Sequence, residues 1–539
     1  AQVMNYIQNY DPFNNPLIST LVALLPIVLL LGSMSVFKLK AQLAAALGLL
    51  AALVISMLFY RLPAGMAVLS TLYGVAYGLL PIGWIILNIL FLFQLVEQKG
   101  LFSQLQSSLI SVTSDQRLQL LLVVICLGSF FEGASGFGTP VAITSVILIG
   151  LGFPKLQAAV LSLIANSTSV VYGSIGTGML ALQGVTGISI FDLAKTGALQ
   201  LIPLNLILAA WLVWAFSGFK RMLGVLPAIL TVSLSYTIAQ TATAFWHGPW
   251  LATIAGAIAS LVALLILLRF WKPREIYQPY IQKSQTPVGD ISPHKNIAGP
   301  WLPWIILCVM VFVWGIPQVK TILDGVSLNI VIAGLDGLVI RTPPLSFVAQ
   351  PLGAVYTFNW LSSIGTAVLL GSVLTGICIG HSWKDMGRAY WITLRQAAGT
   401  LLTISLLIAL GFITRYTGLD ATLGLAFANS GVLYPFFGTV LGWLGVISTG
   451  SITASNVLFG NLQQISATQL GINPIDMAAA NTSGGVAGKL ISPQSITITA
   501  TATSQIGNEH KILRKVLPHS LAMVVLMGLV VMIQVYLFH

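Results

Sequence analysis

Charge is what this sequence has least of. Lys and Arg number 24 and Asp and Glu 13 in 539 residues, 7% together, where an ordinary soluble domain carries ~25%. Hydrophobic residues make up 56%, and the mean hydropathy is +0.93. A soluble surface cannot be covered with so few charges, which excludes soluble and disordered classes. The net charge of +11 is spread too thinly for a phosphate-binding face, so nucleic acid is excluded as a partner. Cysteine is almost absent. Cys126, Cys308 and Cys378 lie far apart in apolar stretches, which argues against a disulfide framework or a thiolate metal site. The histidines show no metal-ligand spacing and no Ser/His dyad appears, so neither metal, cofactor nor enzyme is expected. The first sixteen residues are polar, with Asp11 and Pro12 and no basic stretch, so no secretory signal is expected there.

What is present in quantity is apolar runs of bilayer length, ~20 residues each. They fall at 17–37, 41–60, 66–96, 156–181, 197–217, 222–243, 248–270, 301–317, 361–380, 396–414, 475–506 and 515–538. Two more, 118–151 and 433–470, are interrupted near the middle by Gly, Ser and Thr and read as re-entrant hairpins. The expected fold is an all-α polytopic membrane protein of about twelve transmembrane helices plus two hairpins. The Pro-containing stretch 271–300 reads as a linker, and the weakly apolar 318–360 as an outer segment with some capacity to re-enter. With the N-terminus outside, 18 of the 24 basic residues fall in cytoplasmic connections, among them Lys38, Lys99, Arg117, Arg221, Lys283 and Lys295. Five fall outside: Arg61, Lys195, Lys320, Arg341 and Arg415. The positive-inside rule selects this orientation, with both termini outside.

The two halves share landmarks in register. Lys99-Gly100-Leu101, Glu132-Gly133-Ala134-Ser135-Gly136 and Ala165-Asn166-Ser167-Thr168 correspond to Thr417-Gly418-Leu419, Thr449-Gly450-Ser451 and Ala480-Asn481-Thr482-Ser483. An odd number of crossings between the copies makes the repeat inverted. The organisation expected is 1–65, N-terminal helices; 66–217, repeat 1, with hairpin 118–151 and broken helix 156–181; 218–395, connecting helices; and 396–539, repeat 2, with hairpin 433–470 and broken helix 475–506. Inverted repeats with Gly-interrupted segments point to a secondary transporter's midplane site, where irregular backbone lines a cavity and helix N-termini face an anion.

The first tip carries Glu132 among Gly133, Ser135, Gly136, Gly138 and Thr139. An intramembrane carboxylate reads as a proton-coupling group; the plainer alternative is a cap for the tip's own amides. The second tip, around Gly450 and Ser451, offers a neutral cradle of donors, or hydroxyls bonding back to helix carbonyls. The broken helices add Asn166, Ser167 and Thr168, and Asn481, Thr482, Ser483, Lys489 and Gln494. Lys489 is the one basic residue inside a span. It is expected to hold a substrate carboxylate or pair with Glu132, unless it snorkels to the surface. Tyr172 and Trp443 flank the interruptions as candidate site walls.

The run Gly128-Ser129-Phe130-Phe131-Glu132-Gly133-Ala134-Ser135-Gly136-Phe137-Gly138-Thr139-Pro140 resembles the signature of the bacterial L-lactate permeases. So do Gly442-Trp443-Leu444-Gly445-Val446 and Ala480 through Ser495, and the resemblance runs nearly end to end. It implies a symporter of the cytoplasmic (inner) membrane that takes up L-lactate, glycolate and related 2-hydroxymonocarboxylates with protons. A sodium-coupled carboxylate carrier and a proton-channelling subunit of a redox complex stay open as alternatives. The expected partners are the solute, the proton and the lipid bilayer; the oligomeric state is left open, a homo-oligomer included.

Overall fold

The computed structural model describes residues 5–37, 39–101, 104, 112–136, 138–280, 298–346, 348–506 and 508–538. Lys38, Phe137, Lys283 and Lys295 lie outside the described residues, as do most of the linker 271–300 and the side chain of Thr139.

The chain opens with strand β1 (Tyr6–Ile7) and helices α1 (Pro16–Ser35) and α2 (Ala41–Leu58), followed by the long span α3 (Ala64–Gln98). Asn15 starts α1 as its N-cap, its side-chain oxygen accepting from Leu17 N and Ile18 N at 3.1 and 3.3 Å, with Pro16 in the first turn. Next come α4 (Gln116–Ala134) and α5 (Thr139–Gly150), which meet at the Gly136/Gly138 turn. Helices α6 (Lys155–Ala165) and α7 (Gly173–Thr186) form a bent pair, and α8 (Ile190–Ser217), α9 (Leu226–Trp246) and α10 (Ala252–Phe270) close the first half.

The second half begins with α11 (Ala298–Gly315) and α12 (Pro317–Asp324). Four short strands follow: β2 (Leu328–Val331), β3 (Val339–Arg341), β4 (Gln350–Leu352) and β5 (Val355–Phe358). Then come α13 (Ile364–Cys378), the 35-residue α14 (Trp383–Thr417) and α15 (Leu419–Phe427). A helix pair, α16 (Tyr434–Thr449) and α17 (Ile452–Gln469), turns at Gly450. The chain ends with α18 (Pro474–Lys489), α19 (Pro493–Ala502) and α20 (Glu509–Leu537).

The fold is therefore mostly, not wholly, helical. In segment 318–360, helix α12 ends at Asp324 and four short strands follow. Runs such as Val355-Tyr356-Thr357-Phe358, rich in β-branched and aromatic residues, make strands. β2 pairs antiparallel with β5, and β3 lies between β1 and β4, tying the N-terminus to this segment. Among the described residues nine helices are long and apolar enough to cross a bilayer, or eleven if each of two bent pairs is one span.

Contacts gather the loops at two ends. At one, Arg117 donates to Arg221 O (2.7 Å) and Glu275 O (2.8 Å), and Lys99 to Gly380 O (3.2 Å). Gln116 there donates to Leu151 O (3.1 Å), so α4 begins where α5 ends. At the other, Gln8 donates to Arg415 O (3.0 Å) and Tyr6 to Tyr60 O (3.2 Å). Gln469, at the end of α17, donates to Pro344 O (3.0 Å) at that end. The packing between the halves is reciprocal: α7 lies on α17 and α5 on α19, while α8 lies on α18 and α6 on α20.

Glycines set the closest approach. A Cβ on Gly484 would collide with Thr439 O, one on Gly442 with Asn481 O, and one on Gly488 would come 2.5 Å from Trp443 O. Helices α16 and α18 thus pack backbone to backbone, as small residues allow in a membrane.

Candidate functional site

The first broken helix breaks at its polar run, Asn166 to Ser169, and the second breaks later than its own. In the first half, α6 ends at Ala165, and Ser174, Ile175 and Gly176 then adopt left-handed φ of 48°, 54° and 73° before α7 proceeds. In the second half, Asn481-Thr482-Ser483-Gly484-Gly485 is uninterrupted helix inside α18. The break falls at Leu490–Ser492, where Ser492 caps α19, accepting from Ser495 N at 3.2 Å ahead of Pro493 in the first turn. The small polar run serves helix packing, and the Ser-Pro pair after Lys489 makes the interruption.

This geometry brings four helix starts around one cavity of about 200 Å³. It is bordered by Gly136 before α5, by Gly173, Ser174 and Thr177 at the start of α7, by Ser451 and Thr453 at the start of α17, and by Gln494 in α19. Glu132 and Lys489 line it too. At about 200 Å³ the cavity is smaller than the ~300–1,000 Å³ of drug-sized pockets and suits a small solute. Helix α14 closes the side with Thr400, Thr403 and Leu407.

Glu132 is 3% exposed and one of its oxygens, Oε2, has no hydrogen-bond partner. Gly173 is required beside it: a Cβ there would stand 2.7 Å from Glu132 Oε1. Two more buried polar atoms, Asn166 Nδ2 and Ser167 Oγ, are also unpartnered, an uncommon density of unsatisfied groups. Lys489 is the last residue of α18, and its Nζ donates to Gly450 O at 2.6 Å, tying the second break to the second tip. A cation here complements the C-terminal end of the helix. Glu132 and Lys489 do not pair directly: among the described residues the one ion pair within 4.0 Å is Arg117–Asp115.

Several expected site residues are engaged elsewhere. Ser135 donates back to Phe131 O (3.0 Å). Asn481 and Thr482 donate to Asn456 Oδ1, both at 3.0 Å, and Asn456 donates to Gly178 O at 3.0 Å. Ser483 donates to Gln200 Oε1 (2.7 Å), Tyr172 to Ala194 O (2.6 Å), and Trp443 to Ser520 Oγ (3.0 Å). Thr168 faces a separate void beside Ser129 and Tyr236. Gly133 packs against Ile254, and Gly138 turns into α5 with φ 78°. Ser174, Thr177, Thr400, Thr403 and Thr453 line the cavity without having been singled out as site residues. The Gly173-Ser174-Ile175-Gly176-Thr177-Gly178 run was the available signal for the first two. Glu132 is also not alone among buried acids: Asp115, Asp420 and Asp476 are each under 5% exposed, held by helix-end and interhelical contacts.

Apolar helices throughout, paired interruptions and an internal cavity that holds an acid, a lysine and hydroxyls define a multi-pass membrane transporter. The sequence profile of L-lactate permease matches residues 19–538, and the chain belongs to that family. It is 37% identical over 560 residues to the L-lactate permease of Bacillus subtilis, covering 99% of each chain. It is 36% identical over 555 residues to the glycolate permease GlcA of Escherichia coli, again covering 99% of each. Among solved structures, the Neisseria gonorrhoeae protein MtrF, described as illuminating a class of antimetabolite efflux pumps, matches with a TM-score of 0.50 at 13% identity, over 94% of this chain and 97% of that one. That likeness is one of fold.

Proposed function

We propose that the chain carries L-lactate, glycolate and related 2-hydroxymonocarboxylates inward across the cytoplasmic membrane together with protons. The observation that carries this reading is that Glu132 and Lys489, from different halves, line one small cavity at the two tips. Lys489 and the first-turn amides of α17 and α19 hold the carboxylate, since helix starts and ammonium groups favour anions. The hydroxyls of Thr177 and Thr453 and the Gln494 amide have no hydrogen-bond partner among the described residues and are free to take the solute's hydroxyl. Glu132, with its unpartnered oxygen, carries the proton. A protonated Glu132 and an anion on Lys489 leave the site neutral, and a neutral site is the one that crosses a low-dielectric barrier most cheaply.

The topology proposed with it has twelve spans and two re-entrant hairpins in inverted repeats, 66–217 and 396–539, with both termini outside. It counts Gln116–Ala134 and the helix leading to the second tip as hairpin arms rather than crossings. The bonds from Gln116 to Leu151 and from Gln469 to Pro344 support this, because each pair opens at one end, and the two open at opposite ends. The reciprocal packing of α7 on α17 and α5 on α19 supports a two-fold relation between the halves. Asn481, Thr482 and Ser483 serve the site through this scaffold.

Uptake of labelled lactate by the reconstituted protein tests the function. A proton gradient, acid outside, is expected to drive accumulation. Accumulation driven by sodium alone would establish the sodium-coupled alternative, and no accumulation under either gradient would defeat the carrier reading.

A further inference from the structure

A second cavity, of about 760 Å³, lies at the Arg415 end of the molecule. It stands on the same helices as the central one. Along α14, Thr400, Ile404 and Ile408 face the central cavity, and Phe412 and Tyr416 face the outer one, each four residues on from the last, with Arg415 beside them. Along α7, Ser174 and Thr177 give way to Gln183 and Gly184 in the same order. Between the two lies an aromatic layer. Tyr77 and Phe412 have ring centroids 5.8 Å apart, Tyr73 meets Phe412 edge-on at 4.7 Å, and the Tyr77 hydroxyl donates to Leu180 O at 3.0 Å. Helices α3, α7 and α14 are thus closed together by these rings. The central cavity instead reaches Ala41, the first residue of α2, at the end that holds Lys99 and Arg117.

The outer cavity is lined by two cations, Arg415 and Lys320, and one acid, Asp324. The Asp324 carboxylate already accepts from the Ser362 hydroxyl. Among the described residues Arg415 has no carboxylate within 4.0 Å. Its Nη1 donates to Gly184 O at 3.0 Å, and its Nε is buried without a partner. A guanidinium has five N–H donors, so most of this one's capacity is unspent. Burial pushes the Tyr356 phenol up to about 12, with Tyr73 beside it adding to the shift.

We propose that this outer cavity is a second binding site, in which Arg415 holds the carboxylate of the solute above the Tyr77–Phe412 layer before it reaches the central site. The proposal rests on reading the chain as a hydroxy-acid carrier. It makes the two sites successive stations on one helix stripe, with the aromatic layer as the closed gate between them.

The test is kinetic and uses the full-length protein in vesicles. For Arg415→Gln, loss of a charge-assisted bond predicts a rise of about tenfold in the KM for lactate offered from the Arg415 side, with Vmax held within about twofold. The KM for lactate offered from the opposite side is expected to be unchanged, a split that a merely structural arginine would not produce. Arg415→Lys restores the charge and is expected to recover most of the affinity. From the Arg415 side, a KM that does not move or a fall in Vmax at constant KM would overturn the outer site, as would equal KM changes on both sides. Wild-type protein that transports neither lactate nor glycolate would overturn the carrier reading and this proposal with it. Normal wild-type transport with an unaltered Arg415→Gln variant would overturn the outer site alone.

Discussion

Glu132 and Lys489 share a cavity but keep more than 4.0 Å between carboxylate and amine. An acid and a base held near each other without neutralising one another leave room for a third party. The amine is parked on a carbonyl, Gly450 O, which an anion can replace or join.

Replacing the amine should therefore weaken solute binding. Lys489→Gln is expected to raise the Kd for lactate about tenfold to a hundredfold, the worth of one or two charge-assisted hydrogen bonds. Calorimetric titration of the purified protein measures it. An unchanged Kd would confine Lys489 to its bond with Gly450.

Glu132→Gln keeps the side-chain shape and removes the exchangeable charge. It is expected to abolish accumulation driven by a pH gradient while leaving exchange of labelled for unlabelled lactate. If the variant still concentrates lactate against a gradient, another group carries the proton.

Thr482 tests the boundary between site and scaffold. Thr482→Val removes one donor to Asn456 Oδ1, and Asn481 still supplies the other. Loss of a buried hydrogen bond costs ~1–3 kcal/mol, so the thermal midpoint should fall while the lactate KM stays within about twofold. A large KM change at constant midpoint would bring Thr482 to the solute.

The α16–α18 contact predicts a sharp contrast between two glycine substitutions. Gly484→Ala drives a methyl group into Thr439 O and should destabilise by ~1–3 kcal/mol, while Gly387→Ala, in α14 with nothing within 4 Å, should be neutral or stabilising by up to ~1 kcal/mol. Thermal unfolding followed by tryptophan fluorescence compares them.

Hydropathy and glycine punctuation made the long apolar helices and the turns at Gly136 and Gly450 legible, because bilayer length and helix breaking are local properties. Glu132, Lys489, Ser451, Gln494, Gly136 and Gly450 all reach the cavity for that reason: they sit at or beside breaks. Thr400 and Thr403 were not legible, since α14 is unbroken there, so only its neighbours decide which face meets the cavity. Asn481 to Gly485 misled in the opposite direction. Small and polar residues serve both to interrupt a helix and to let two helices touch, and a single sequence does not separate the uses. The absence of a direct Glu132–Lys489 bond depends on the relative placement of elements 357 positions apart in the chain.

The reciprocal seating of α7 on α17 and of α5 on α19 constrains how such a molecule can work as a machine. Each half clasps the other's tip, like two hooked hands. Swinging one half as a block would prise both clasps apart at once and expose the polar tips to lipid. The travelling part must then be assembled from both halves, and the stationary frame likewise, so the seam along which the protein moves runs through both halves and not between them.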